Sequence, residues 1–162
     1  MFKLTKETLP IFKTFRFKNL RNFDASDGIA YSCELFYQNQ KIADVENQGD
    51  GGETNIDYAV GGKNLLESLN VPQYYDKDED LGFKIDNEYI ISDLVEVAIW
   101  LKESLRGQSK AILFLRGDET MEIKLKVPVS KYAEVGKMNI LTDKVKEIED
   151  RGDLVINTNI PR

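Results

Sequence analysis

The sequence predicts an α+β fold with a mainly antiparallel sheet, formed by an N-terminal meander and a later hairpin, with one central core helix and shorter helices. Segments of alternating apolar and polar residues occur before residue 60 and again after residue 110, and such alternation is typical of strands. One long helical pattern lies between these runs, at residues 92–107. Strands that come in runs, instead of alternating with helices, favour an antiparallel sheet over a doubly wound one.

Four strands are predicted in the meander. Ile11–Phe17 is the first, because its apolar residues are interleaved with lysine, threonine and arginine. A polar loop at residues 24–28 then leads to a second strand at residues 29–37. A hairpin turn separates that strand from a third at residues 41–47, and residues 53–60 supply a short fourth strand.

Cys33 is the only cysteine of the chain, and it lies in the second predicted strand. Tyr31, Cys33 and Leu35 fall on one face of that strand, whereas Ser32 and Glu34 fall on the other. We therefore interpret Cys33 as a core residue rather than a nucleophile. A single cysteine also excludes an intramolecular disulfide and favours a reducing, cytoplasmic environment.

The central helix is predicted to begin after Ser92, a suitable N-cap residue, and to end at Gly107. Its apolar residues form a broad stripe along the helix. We expect this stripe to pack across the sheet and to bury Ile99 together with Leu101 or Leu105.

The other elements are shorter. Residues 63–70 are predicted to form a short helix, and residues 110–127 a hairpin of two alternating strands. Thr142 is expected to cap a further helix that ends at Gly152. A short strand at residues 154–158 completes the chain, and the final residues are expected to fray.

Size and hydropathy predict one domain, residues 1–162, in the cytoplasm. The chain has 162 residues, of which 41% are hydrophobic and 31% charged, as in an ordinary globular domain. It has no apolar run of the roughly 18 residues that a membrane span needs, and its start lacks the apolar stretch of a secretory signal. We therefore expect no membrane contact.

The absence of histidine excludes several common catalytic sites. A chain with no histidine cannot form a Ser-His-Asp triad, a Cys-His pair or a histidine-ligated zinc site by itself. Carboxylates, lysines, tyrosines and one thiol are the groups that remain for chemistry. No catalytic residue, metal ligand or cofactor is predicted, and a role other than catalysis is favoured.

Charge is unevenly distributed along the chain. Residues 1–21 carry six Lys or Arg and one acid, whereas residues 22–108 carry eighteen acids and six bases, a net charge of −12. Residues 109–162 carry nine acids and ten bases. An acidic middle repels phosphates, so direct nucleic-acid binding is not expected, and a protein with a basic surface is the predicted partner. The alternative is an ordinary solvated surface.

A glycine-rich loop follows the third predicted strand and is a candidate binding site. It comprises Gly49, Asp50, Gly51 and Gly52, followed by Glu53. Glycines permit a positive φ and a close approach by a ligand or another chain, so the loop is either an anion-binding or protein-binding element or a plain connection between strands. It lacks the lysine and hydroxyl of a P-loop.

A second candidate binding segment is an acidic run at Asp76, Asp78, Glu79 and Asp80. The three aspartates alternate as in a calcium loop, but the glycine and the bidentate acid that such a loop needs are each displaced by one residue. We therefore interpret the run as an exposed acidic loop that is available to a partner.

An Asn-x-Gly-x-Gly-Gly loop follows a hairpin, and a Leu-Phe-x-Arg strand occurs later in the chain. In these two motifs the chain resembles small uncharacterised proteins encoded by bacteriophages and by prophage-bearing bacteria. The resemblance implies a phage or mobile-element context and no assigned activity. This chain departs from the pattern at Asp50 and Glu53, where histidine and cysteine are expected, which argues against a metal or nucleophile in the loop. The matching residues are Asn47, Gly49, Gly51, Gly52, Leu113, Phe114 and Arg116.

Two hypotheses of function follow. The first is a non-catalytic acidic interaction protein, such as a phage-encoded inhibitor of a host nucleic-acid-handling or defence protein. The second is a small carboxylate-based, metal-dependent enzyme or metal-binding protein that uses Asp50, Glu53 and Asp57, or the run Asp76–Asp80. Acids that converge in a concave pocket favour the second, and acids spread over a convex face favour the first.

Overall fold

The computed structural model describes residues 4–5, 8–71, 86–117 and 119–160, which fall into two compact units, Met1–Ile99 and Trp100–Arg162. The described residues contain five α-helices and seven strands in two antiparallel sheets, which confirms the α+β prediction. None of the helices in these ranges combines the length and apolar character needed to cross a bilayer. That residues 1–162 fold as one domain stays a prediction.

The first unit is a four-stranded antiparallel meander with helices before and after it. The strand order is β1-β2-β3-β4, and tight turns join β1 to β2 and β2 to β3. Residues of α3 up to Ile99 belong to this unit, and the later ones belong to the second. The elements are α1 (Thr8–Phe12), β1 (Phe15–Ala25), β2 (Gly28–Tyr37), β3 (Gln40–Asn47), β4 (Asn55–Tyr58), α2 (Gly62–Ser68) and α3 (Asn87–Ser104).

The second unit is a three-stranded sheet with two helices. After a single 3₁₀ turn at Leu105–Gly107, the strands pair in the order β6-β5-β7. Ile112 and Phe114 of the central strand belong to a core with Leu141, Val145 and Ile148 of the last helix. The elements are β5 (Ala111–Arg116), β6 (Glu119–Lys124), α4 (Val129–Glu134), α5 (Met138–Asp150) and β7 (Leu154–Val155).

The first predicted strand is wrong at its start. Residues 8–12 form α1, and β1 then continues past the predicted end at Phe17 to Ala25, the second residue of the predicted polar loop. Thr5 and Thr8 cap each other reciprocally, since the N–H of each donates to the hydroxyl of the other at 2.7 and 3.2 Å. This local capping outweighs the strand-like alternation of the sequence.

The start of the central helix also differs from the prediction. Helix α3 begins one turn before Ser92, because Asp86 caps it: the Asp86 carboxylate accepts a hydrogen bond from Tyr89 N–H at 3.0 Å. Ser92 therefore lies inside the helix, where its hydroxyl contacts Thr54. Thr142 lies inside α5 in the same way, with its hydroxyl bonded to the carbonyls one turn earlier.

Ile99 is buried in α3 as predicted, whereas Leu101 and Leu105 are only half-buried. We expect Ile99→Ala to lower the free energy of unfolding by about 2 to 5 kcal/mol, because the side chain is 2% exposed and its removal leaves a cavity. Urea denaturation measures the change. Val97→Ala, at a half-buried position of the same helix, is the control and should cost less. An equal loss for both variants would contradict this assignment of the buried face.

Candidate interaction surface on the first sheet

Alternation along the strands of the meander, interrupted by bulges, separates a buried face from a solvent-facing one. In β2, Tyr31, Cys33 and Leu35 are buried, whereas Ser32 and Glu34 are partly exposed. The same period of two continues in the other strands. We call the solvent-facing side the outer face, and its members are Arg16, Lys18, Arg21, Ser32, Glu34, Phe36, Lys41, Asp44, Glu46, Asn55 and Asp57.

The strand register arranges these side chains in two rows that cross the sheet. The pairings Lys18↔Glu34, Glu34↔Asp44 and Asp44↔Asp57 form the first row, one residue from each strand. The second row is formed in the same way by Arg21, Ser32, Glu46 and Asn55. Neighbours within a row have Cα atoms about 4.5 to 5.5 Å apart, so their side chains lie next to one another.

A bulge in β1 aligns the second row. The register shifts between Lys18 and Arg21, and Asn19 at the bulge adopts a φ of 55°. Asparagine tolerates this left-handed conformation better than most residues. The shift returns Arg21 to the outer face, opposite Ser32.

Ion pairs compensate only part of the negative charge. Lys41 Nζ lies 2.8 Å from the Asp44 carboxylate and 3.5 Å from Glu34 Oε1, and Asn19 Nδ2 donates to Glu34 Oε2 at 3.0 Å. The hydrogen bond to Asp44 raises the pKa of Lys41 above its ordinary value. Within the described part of the chain, Glu46 and Asp57 have no ion-pair partner. They are the acids of this face that remain for another molecule.

The rows line a cleft of about 670 Å³ on the outer face. All four strands contribute to its lining, which includes the carboxylates of Glu34, Asp44, Glu46 and Asp57. Arg21 also lines it, from the β1 side. Concave acids favour the carboxylate-based alternative, but of the acids named for it only Asp57 lines this cleft, and the described residues hold no group arranged for a metal ion. The lining suits cationic groups on the β3–β4 side of the cleft.

Cys33 is also among the residues that line this cleft, but it is buried. Its side chain belongs to the buried face, and burial raises the pKa of its thiol to about 12, with smaller contributions from the nearby charges of Asp44 and Glu34. The thiolate is the nucleophilic form of cysteine, so this group is inert near neutral pH. This agrees with the interpretation of Cys33 as a core residue.

The glycine-rich loop is held by its own side chains. Gly49 N–H donates to Asn47 Oδ1 at 2.7 Å, and Gly52 N–H donates to Asp50 Oδ1 at 3.0 Å. Gly49 has a φ of 67°, and a Cβ there would lie 2.6 Å from the backbone nitrogen of Ala30. The glycine thus lets the loop pack against the β1–β2 hairpin, which explains its presence without a ligand.

This geometry favours the connecting-loop interpretation over an anion site. Two of the loop's N–H groups are already bonded internally, and Asp50 and Glu53 beside them are exposed and would repel an anion. Protein binding by Gly49, Asp50, Gly51, Gly52 and Glu53 stays a prediction.

A cluster of polar side chains that the sequence did not predict ties this loop to α3. Thr54 Oγ1 hydrogen-bonds Tyr31 Oη at 3.2 Å and Ser92 Oγ at 2.9 Å, and it accepts from Asn47 Nδ2 at 3.0 Å. Thr54 N–H donates to Glu88 Oε1 at 2.8 Å. Burial raises the pKa of Tyr31, against the effect of its hydrogen bonds with Ser92 and Thr54. Because these groups satisfy one another, the cluster is a structural link.

The other predicted acids are not brought together. Asp57 lines the cleft, but Asp50 and Glu53 do not. No set of three or more acidic or cysteine side chains in the described ranges is arranged to hold a metal ion. The run Asp76, Asp78, Glu79 and Asp80 lies outside the described residues, so its role in binding stays a prediction.

Comparisons of the chain with protein-family models, with curated proteins and with solved structures found no match. The bacteriophage resemblance therefore stays a hypothesis based on two short motifs. The structure does account for the residues of the second motif. Leu113 and Phe114 are buried, and Arg116 makes a bidentate ion pair with Asp153 at 2.9 and 3.2 Å.

Proposed function

We propose that this chain is a non-catalytic interaction protein whose acidic β3–β4 side binds a basic surface on a partner protein. The observation that supports this most directly is the placement of Asp44, Glu46 and Asp57 on adjacent strands, all exposed and all on one side of the sheet. Because Glu46 and Asp57 have no ion-pair partner in the described ranges, their charges are available for complementary cations.

The phage-like motifs suggest the class of partner. Proteins of the host that handle or defend nucleic acid bind phosphates through basic grooves, and carboxylates on a rigid sheet can occupy such a groove. The proposal is therefore that the chain acts as a phage-encoded inhibitor of a host protein of this class. The inert Cys33 thiol is consistent with a role in binding.

The test is capture of host proteins on the immobilised chain, followed by affinity measurement with the purified partner. We expect Glu46→Gln/Asp57→Asn to weaken binding of that partner by about tenfold or more, and binding to fall steeply as salt is raised. Glu119→Gln/Glu122→Gln removes the same charge from exposed positions of β6 and should bind like the unmodified chain.

Both double variants should keep their melting temperatures nearly unchanged, since exposed charges contribute little stability. If the captured partner binds the Glu46/Asp57 variant as tightly as the original chain, the sheet face is not the docking surface. The acidic run Asp76–Asp80 and the loop Gly49–Gly52 would then be tested in the same assay.

A further inference from the structure

The outer face carries opposite charges on its two sides. Arg16, Lys18 and Arg21 are exposed on β1, whereas Asp44, Glu46 and Asp57 are exposed on β3 and β4. The strand order β1-β2-β3-β4 puts these groups at opposite edges, up to three strand spacings of about 4.8 Å apart. The face is therefore an electrical dipole across the strands, not a uniformly acidic surface.

Consider two copies whose outer faces are placed against each other. If a two-fold axis parallel to the strands relates them, the basic side of each face lies over the acidic side of the other. This rotation places β1 of one copy over the β3–β4 side of the other. A two-fold axis across the strands would instead place β1 over β1 and oppose like charges. Only the first arrangement is self-complementary, and it closes as an isologous pair.

The row structure strengthens this argument. Rotation about an axis parallel to the strands leaves each position along the strands unchanged, so each row meets the same row of the second copy. With the axis over β2, Arg21 faces Glu46 of the second copy in the second row, an acid that has no ion-pair partner within the described residues. In the first row, Lys18 faces Asp44, which is already paired with Lys41 of its own copy, so the Arg21–Glu46 contact carries more of the attraction. Each cation thus meets an acid of its own row.

The centre of such a pair is compatible with burial of its charges. Ser32 would face its own counterpart, and two hydroxyls can hydrogen-bond each other. Glu34 would also face itself, but its carboxylate already accepts from Asn19 and from Lys41, which supply donors and positive charge at that point.

We propose that the chain pairs with a second copy of itself through the outer face, in this orientation. The inference goes beyond the proposed function and is carried by a different observation, the match of cations and acids within each row. Exposed ion pairs are weak and are screened by salt, so the pair should be reversible and should dissociate as salt rises. A basic partner would compete with the second copy for Glu46.

Sedimentation velocity at about 50 mM and about 500 mM salt tests the pairing. The attraction between charges about 10 Å apart largely persists at the lower concentration and is screened at the higher one. We expect a dimer at the lower salt and a monomer at the higher. Arg21→Glu and Glu46→Arg should each weaken dimerisation by about tenfold or more at low salt, since each opposes like charges. The double variant Arg21→Glu/Glu46→Arg should restore the dimer, because it exchanges the two charges of each pair.

Sedimentation velocity of the double variant Arg21→Glu/Glu46→Arg is the decisive measurement. Both residues are exposed, so all three variants should keep the circular dichroism spectrum of the original chain. A chain that stays monomeric at low salt, or a double variant that stays monomeric while the unmodified chain dimerises, overturns the inference.

Arg21→Glu separates this inference from the proposed function. The substitution should weaken dimerisation as stated above but leave binding of a basic partner intact or tighter, because it adds negative charge to the face. If the unmodified protein is monomeric at low salt but binds a partner through Glu46 and Asp57, the pairing is contradicted and the proposed function is supported. If the unmodified protein dimerises but binds no basic partner, the pairing is supported and the proposed function is contradicted.

Discussion

Gly62→Ala is expected to lower the free energy of unfolding by about 3 kcal/mol or more. A Cβ at this position would lie 2.0 Å from the carbonyl oxygen of Ile42 and 2.8 Å from its carbon, and backbone atoms of a paired strand cannot move aside cheaply. The start of α2 is held in this place, since Ile42 O accepts from Ala59 N–H and Ala59 O accepts from Gly62 N–H. Urea denaturation measures the loss.

Gly61→Ala is the matched control for that experiment. Gly61 has a φ of 75°, so alanine there adopts a left-handed backbone at a cost of about 1 kcal/mol, but its Cβ would meet no atom within 4 Å. The two variants therefore separate backbone conformation from steric contact. Equal losses at the two positions would show that α2 does not pack on β3 as described.

Asn157→Ala is expected to cost about 2 to 4 kcal/mol, because it leaves two buried backbone groups of β5 without a partner. Asn157 is 3% exposed; its Oδ1 accepts from Leu113 N–H at 2.5 Å and its Nδ2 donates to Ala111 O at 3.0 Å. The strand β7 has only two residues, so this side chain continues the edge pairing of β5 beyond it. The melting temperature and urea denaturation report the loss.

Two further variants make the Asn157 result specific. Asn157→Asp keeps an acceptor for Leu113 but loses the donor to Ala111, so its loss should remain substantial. Asn159→Ala should cost less, because Asn159 is exposed and water can replace its bonds. A loss below about 0.5 kcal/mol for Asn157→Ala would contradict the proposed role of the side chain in the sheet.

As far as Ile160, the same region contradicts the expectation that the final residues fray, whereas residues 161–162 lie outside the described residues. Ile156 and Ile160 are buried, and Thr158 donates from its N–H and its hydroxyl to Gln108 Oε1 at 3.0 and 2.9 Å. Gln108 is about fifty residues earlier in the chain. A contact between such distant positions leaves no local pattern in a single sequence, so only the fold reveals that this segment is ordered.

The candidate surface was predictable in part. Alternation in residues 29–37 placed Ser32 and Glu34 opposite the apolar residues, because a strand directs successive side chains to opposite faces. The rows were not predictable, because they depend on bulges between Lys18 and Arg21 and between Leu35 and Phe36. A bulge shifts the pairing by one residue and so decides which charges are neighbours.

Local patterns of the sequence determined the class of fold, most of the strands and the burial of Ile99, because the spacing of apolar residues that indicates them is visible within a few residues. Tertiary structure decided where helices began: Asp86 capped α3, and Ser92 was left to contact Thr54, which is 38 residues away. It also decided the arrangement of charge. The basic residues of β1 and the acids of the middle segment are distinct along the chain, but the pairing of β1 through β4 places them on opposite sides of one face. The stability of pairing between strands that are distant in sequence depends on several strands together, so it cannot be inferred from any single segment of the sequence.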